Sequence, residues 1–212
     1  YTLDGAIDVN GLLTLTAGTL DTSSGNKYVI TVGGGWTDTG AGIFTERSGT
    51  VTFDGTGTLN SNEAFNNLTI NTGGTVTLGA AVDVDNALTI TSGTLDTSSG
   101  NNYAITVGGN WANSGMFTGR SGTVTFDDVS KTTTVSGTTT FYNLTSTTAN
   151  KAITFTASTT TTVSGTLTLT GADSNLITLR SSVADTTWLL NVSGSSSIDY
   201  VDVKDSNASV GN

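Results

Sequence analysis

The chain contains no histidine and no cysteine. Imidazole-based triads, thiol nucleophiles and His or Cys metal sites are therefore outside its chemistry. Carboxylates are what remains. Asp83 and Asp85 lie two apart, so on a strand they share one outward face at a separation of about 7 Å. That separation falls within the range used by inverting glycosidases. In the first copy of an internal repeat the same places hold Asp8 and Asn10, which favours a solvated or turn-facing pair over a catalytic one. Asp127 and Asp128 are adjacent, and on a strand they would point to opposite faces. Two short segments, VDVDN (82–86) and DVKDSN (202–207), gather oxygen ligands of the kind calcium takes. Neither matches an EF-hand loop or a glycine-rich calcium nonapeptide. The expectation is no catalytic residue, no metal ligand set and no cofactor.

Hydroxyls are the other abundant group. Thr14/Thr16, Thr50/Thr52, Thr75/Thr77, Thr89/Thr91, Thr123/Thr125, Thr154/Thr156 and Thr166/Thr168 each present two hydroxyls on one face of a strand. Stacked on a single flat side, such pairs would make an ice-binding surface. Their spacings are not multiples of one unit length, so the expectation places them on different sides of the molecule. Threonine is also a good outward strand residue in its own right.

The elements that must carry these groups are short strands. LTL (13–15), ITV (30–32), VTF (51–53), LTI (68–70), VTL (76–78), VDV (82–84) and LTI (88–90) each flank one polar residue with two apolar ones, the period of a strand with one buried face. From Leu68 three strands pass in about 20 residues before the pattern recurs, with Gly, Asn, Asp and Ser between them. Superimposed on this rhythm is a longer one. LTLTAGTLDTSSGNKYVITVGGGW (13–36) returns as LTITSGTLDTSSGNNYAITVGGNW (88–111), with 19 of 24 positions identical. RSGTVTFD recurs at 47–54 and 120–127. A near-verbatim duplication with a short internal period is the signature of a stacked-repeat architecture. The fold class expected is all-β, a single-stranded parallel β-helix (β-solenoid) of about nine or ten coils of roughly 20–25 residues. Stacked at about 4.8 Å per coil, it would be a rod on the order of 45 Å long. One continuous solenoid over 1–212 is expected, with repeats at about 1–86 and 87–165 and a divergent end unit at 166–212. Leu13, Leu15, Ile30, Val32, Leu68, Ile70, Leu88 and Ile90 would point inward. Trp36 and Trp111, after glycine-rich corners, would cover a bend or one end of the core.

The net charge is −10. That argues against nucleic acid and anionic membrane as partners, since both need basic patches. No apolar run is long enough to span a bilayer. Low charge, abundant Thr, Ser and Gly, and few Lys fit extracellular β proteins. GGNWANSGMFTGRSGTVTFDD (108–128), its partner GGGWTDTGAGIFTERSGTVTFDG (33–55) and IDYVDVKDSNAS (198–209) resemble the repeats of large bacterial secreted and cell-surface parallel β-helix proteins, filamentous-haemagglutinin-like and adhesin-like. The resemblance implies an extracellular or cell-surface rod with roles in adhesion, matrix or filament formation, and it carries over no catalytic residues.

The chain opens midway through its own repeat, and neither end carries a helix or a Pro-bearing segment that would block a coil edge. The expected partners are copies of itself stacked end to end, and surface glycan or matrix. A carbohydrate-binding or carbohydrate-cleaving β-helix and an ice-binding β-solenoid are the two alternatives.

Overall fold

A computed structural model describes residues 1–208. Among them there is no helix, and every named strand pairing is parallel. The chain winds as a β-solenoid of about nine turns. One ladder runs Ile7–Ile30–Val51–Leu68–Leu88–Trp111–Val135–Phe155–Ser181, each residue stacked on the next. The turns along it are unequal: the step from Val51 to Leu68 is the shortest and that from Phe155 to Ser181 the longest. Parallel strands that follow one another need such crossovers, and here the crossover is the rest of the turn.

Each turn presents three faces. The ladder above forms the first. Leu13–Trp36–Leu59–Leu78 lies on the second, and Val82–Ile105–Val124–Leu144–Leu167–Ser196 on the third. The long sequence repeat does not match this period. Val82, the counterpart of Ile7, sits on the third face, whereas Leu88, the counterpart of Leu13, has moved to the first. The repeat is one face short of four turns, so equivalent residues of the two copies look out from different sides of the rod.

The alternation seen in the sequence places the core. Ile30, Val32, Leu68, Ile70, Leu88 and Ile90 are fully buried, Leu13 nearly so, and Leu15 is half-buried at a register shift beside Ala17. Trp36 and Trp111 do not cover an end of the core; each opens the strand that directly follows its glycine-rich bend, inside the stack of turns. Trp36, Trp111 and Trp188 are completely enclosed within the core. Trp36 packs edge-on to Phe44 and Phe65 at 4.8 and 5.4 Å between ring centroids. Trp111 repeats this with Phe117 and Phe141 at 4.9 and 5.0 Å. Trp188 stacks flat on Phe155 at 4.0 Å. A turn of three short strands leaves a wide interior, and large rings with offset or edge contacts fill it.

The ladders continue through Thr166–Thr170, Ile177–Ser181, Ser195–Asp199 and Val201–Val203. Past the last stacked strands the inward positions lose their cover, and Ile198 and Val203 are about half exposed.

Candidate acidic cleft

The most distinctive polar feature lies at the end of the third face. Val84, Val107 and Phe126 stack in register on three successive turns, so the residues that follow them, Asp85, Gly108 and Asp127, leave the sheet one above another. Gly108 has no side chain, and the space it leaves is the floor of a cleft. A β-carbon there would fall 2.4 Å from the Asp85 carbonyl oxygen and 3.1 Å from Cβ of Asp128. The cleft holds about 230 Å³ and is lined by Asp83, Asp85, Gly108, Asp127 and Asp128.

The expected pair Asp83/Asp85 is therefore present, and two further carboxylates face it. Asp127 and Asp128 do not diverge as adjacent strand residues would. The strand ends at Phe126, and Asp128 opens a turn instead. Its carboxylate accepts hydrogen bonds from the backbone N–H and the hydroxyl of Ser130, at 2.8 and 2.6 Å, and pairs with Lys131. These contacts, the Lys131 bond first, hold it far below the ordinary carboxylate range. Lys131 also donates to the Asp85 carbonyl at 2.9 Å, tying the two walls together. Burial pushes the Asp83 carboxyl up, and the charges of Asp85 and Asp127 push it the same way.

Behind the cleft lies Lys151, which has no exposed surface. Its ammonium donates to the carbonyls of Gly108 (3.0 Å), Asp128 (2.7 Å) and Lys131 (2.9 Å). All three ammonium hydrogens are thus used, which is the condition for burying a charge. Burial lowers its pKa, opposed by the nearby Asp128 and Asp127.

The first copy has no such site. The matching places are Asp8, Asn10, Gly33, Asp54 and Gly55, and the segment from the aspartate to the next core phenylalanine is shorter, Asp54 to Phe65 against Asp127 to Phe141. Two added carboxylates and a longer turn clamped by two lysines set the second copy apart. Four carboxylates around one space, with the acidities of Asp83 and Asp128 driven apart, resemble the environment of acid–base pairs. Among the described residues, those of VDVDN and DVKDSN included, no group of three or more His, Cys, Asp or Glu is placed to hold a metal ion.

What both copies share has a different character. Asp21 and Arg47 form a two-pronged ion pair, with Nε and Nη2 at 3.2 and 2.8 Å. Asp96 and Arg120 repeat it at 3.0 and 2.7 Å. Each arginine stands on a left-handed backbone, at φ 55° and 48°, so the fork braces a turn that its own conformation disfavours. The aspartates also cap the N–H of Ser23 and Ser98 at 2.9 and 3.0 Å. Thr22 and Thr97, both buried, donate to the carbonyls of Glu46 and Gly119 at 2.7 and 2.9 Å. Scattered cations and turn aspartates in the sequence are thus paired braces in space.

The threonines form rows on more than one side. Thr31–Thr52–Thr69–Thr89 climbs the first face and Thr106–Thr125–Thr145–Thr168–Ser197 the third, while Thr14–Thr37 and Thr58–Thr77 lie on the second. Thr52 and Thr89 therefore share a side, as do Thr125 and Thr168, contrary to the spacing argument. Turns of unequal length hide that alignment in the sequence. Comparison of the chain with family models, curated proteins and solved structures finds no match.

Proposed function

We propose that the chain is a non-catalytic structural rod of an extracellular or cell-surface assembly, a filament subunit or a rod segment of an adhesin, built by stacking coil upon coil. The observation that carries this reading is what the duplication keeps. The Asp–Arg forks, the buried threonines and the Trp–Phe clusters appear in both copies, and all of them hold the coil. The four-carboxylate cleft appears in one copy only. Duplicated bracing with an unduplicated cleft is what selection for length and stiffness leaves behind. Nine turns at about 4.8 Å give a length of roughly 43 Å. Negative-stain electron microscopy of the purified chain tests the reading. Rods joined axially in multiples of that length are expected, and isolated short particles at every concentration would count against it.

A second reading rests on the cleft itself, as a carbohydrate-binding or carbohydrate-cleaving site. By strand geometry Asp83 and Asp85 are about 7 Å apart and Asp85 and Asp127 about 10 Å, which brackets the separation that admits an attacking water. Its test is a polysaccharide panel assayed with the chain and with Asp83→Asn. Turnover or binding lost in the variant supports it, and a silent panel removes it.

A further inference from the structure

The hydroxyls of the third face form a lattice. Thr106, Thr125, Thr145 and Thr168 stand one above another on four successive turns, and Ser197 continues the column. Two residues back along the same strands runs a second column, Thr123–Asn143–Thr166–Ser195. Neighbouring turns are about 4.8 Å apart and residues two apart on a strand about 7 Å, so the polar groups repeat on a grid of those two intervals. No register shift interrupts these pairings, whereas the pairing that carries the first-face row shifts on both sides of Thr69.

The two columns differ in what they offer. In the second, neighbours bond to one another: Asn143 donates to the Thr123 hydroxyl at 3.3 Å, and the hydroxyls of Thr166 and Ser195 are 3.0 Å apart. In the first, no protein group among the described residues bonds to the hydroxyls of Thr106, Thr125, Thr145 or Thr168, and all four are partly exposed. Buried neighbours hold these strands, Val124 and Phe126 about Thr125 and Leu167 and Leu169 about Thr168. The branched β-carbon of threonine then fixes where each hydroxyl and methyl points. From Thr106 onward neither column contains a charge or an aromatic ring; Asp83, paired with Thr106, ends the neutral stretch. Such a surface gives an ion nothing to pair with and a sugar ring no aromatic face. It does give water a template. Each hydroxyl can donate and accept, and hexagonal ice repeats its oxygens on its prism faces at nearly the two intervals of the grid.

Beyond the rod reading and independent of it, we infer that the third face binds ice, with Thr106–Thr125–Thr145–Thr168 as the contact row and the second column completing the match. The grid arises from the turn and not from the long repeat, so it stays on one side of the rod. Growth of single ice crystals in solutions of the purified chain, and recrystallisation of a polycrystalline ice film, test it. Wild-type chain is expected to facet the crystals and to halt coarsening of the film. Thr145→Tyr sets a ring in the middle of the row, at a strand position that accepts aromatics, and should remove most of both effects. Thr52→Tyr makes the same change on the first face and should leave them intact. Far-UV circular dichroism and a thermal melt check each fold, and Thr168→Tyr stands in for Thr145→Tyr if that chain does not fold. Crystals that grow as round discs in wild-type chain overturn the inference and leave the rod reading untouched. Faceting that survives undiminished in a folded Thr145→Tyr, or that is lost in Thr52→Tyr, overturns it as well. Retention on crystalline cellulose with no effect on ice would overturn it in favour of an ordered glycan surface.

Discussion

Trp36 and Trp111 occupy equivalent places in the two copies and differ by one hydrogen bond. The indole N–H of Trp111 donates to the Thr139 hydroxyl at 3.1 Å, while that of Trp36 is buried without a partner. Replacing either by Phe removes similar volume, so the difference isolates the bond. Trp111→Phe should cost about 1 kcal/mol more than Trp36→Phe in urea unfolding. Asp38 and its counterpart Asn113 make a second natural comparison. Asp38 is almost completely buried, with one carboxyl oxygen unpartnered and only a long contact, 3.4 Å, from Ser61 to the other. Burial pushes its carboxyl up, Glu63 adds to this, and the Ser61 bond opposes it. Because the folded state holds this proton more tightly than the unfolded chain, its contribution to stability is complete below the ordinary carboxylate pKa near 4 and is lost as pH rises through the raised value. Asp38→Asn should therefore be more stable than wild type at pH 7 by at least about 1 kcal/mol, a gap that closes near pH 3. Thermal melts at the two pH values measure it, and a gap that does not change with pH would show that Asp38 holds its proton no more tightly in the fold than in the unfolded chain.

At the scale of elements, alternation in LTL, ITV and VTF is enough to assign strands and their buried sides, because each short strand has one face on the core. The register between turns is not legible. Turns of unequal length mean that equal spacing in the sequence does not signify stacking, which is why spacing alone puts Thr52 and Thr89 on different sides. The cleft is hidden for the same reason. Asp85 and Asp127 are remote in the chain and two turns apart in space, and only Gly108 between them leaves the opening. Lys151 gives no signal at all, since nothing local marks a lysine that will be buried under three carbonyls. Its role can be measured directly. Lys151→Met should strand the carbonyls of Gly108, Asp128 and Lys131 and cost about 3 kcal/mol, read by chemical denaturation. Gly108→Ala should fill the cleft floor and force the turns apart at Asp85, with a loss of a few kcal/mol. A neutral result would show that the neighbouring strands yield at that point.

For the whole molecule, the long sequence repeat and the turn are separate periods. A repeat one face short of four turns carries its features around the rod, so the Asp21–Arg47 and Asp96–Arg120 braces face different sides. A ligand surface made by repetition would need those features in line. A rod that must be equally stiff in every direction gains from spreading them. On the proposed rod reading, the duplication matters through its phase as well as its presence. Electron cryo-microscopy of assembled chains measures this most directly. Strand ladders spaced about 4.8 Å apart should run unbroken across each joint. Particles of single-chain length, or chains that associate side by side, would contradict the account.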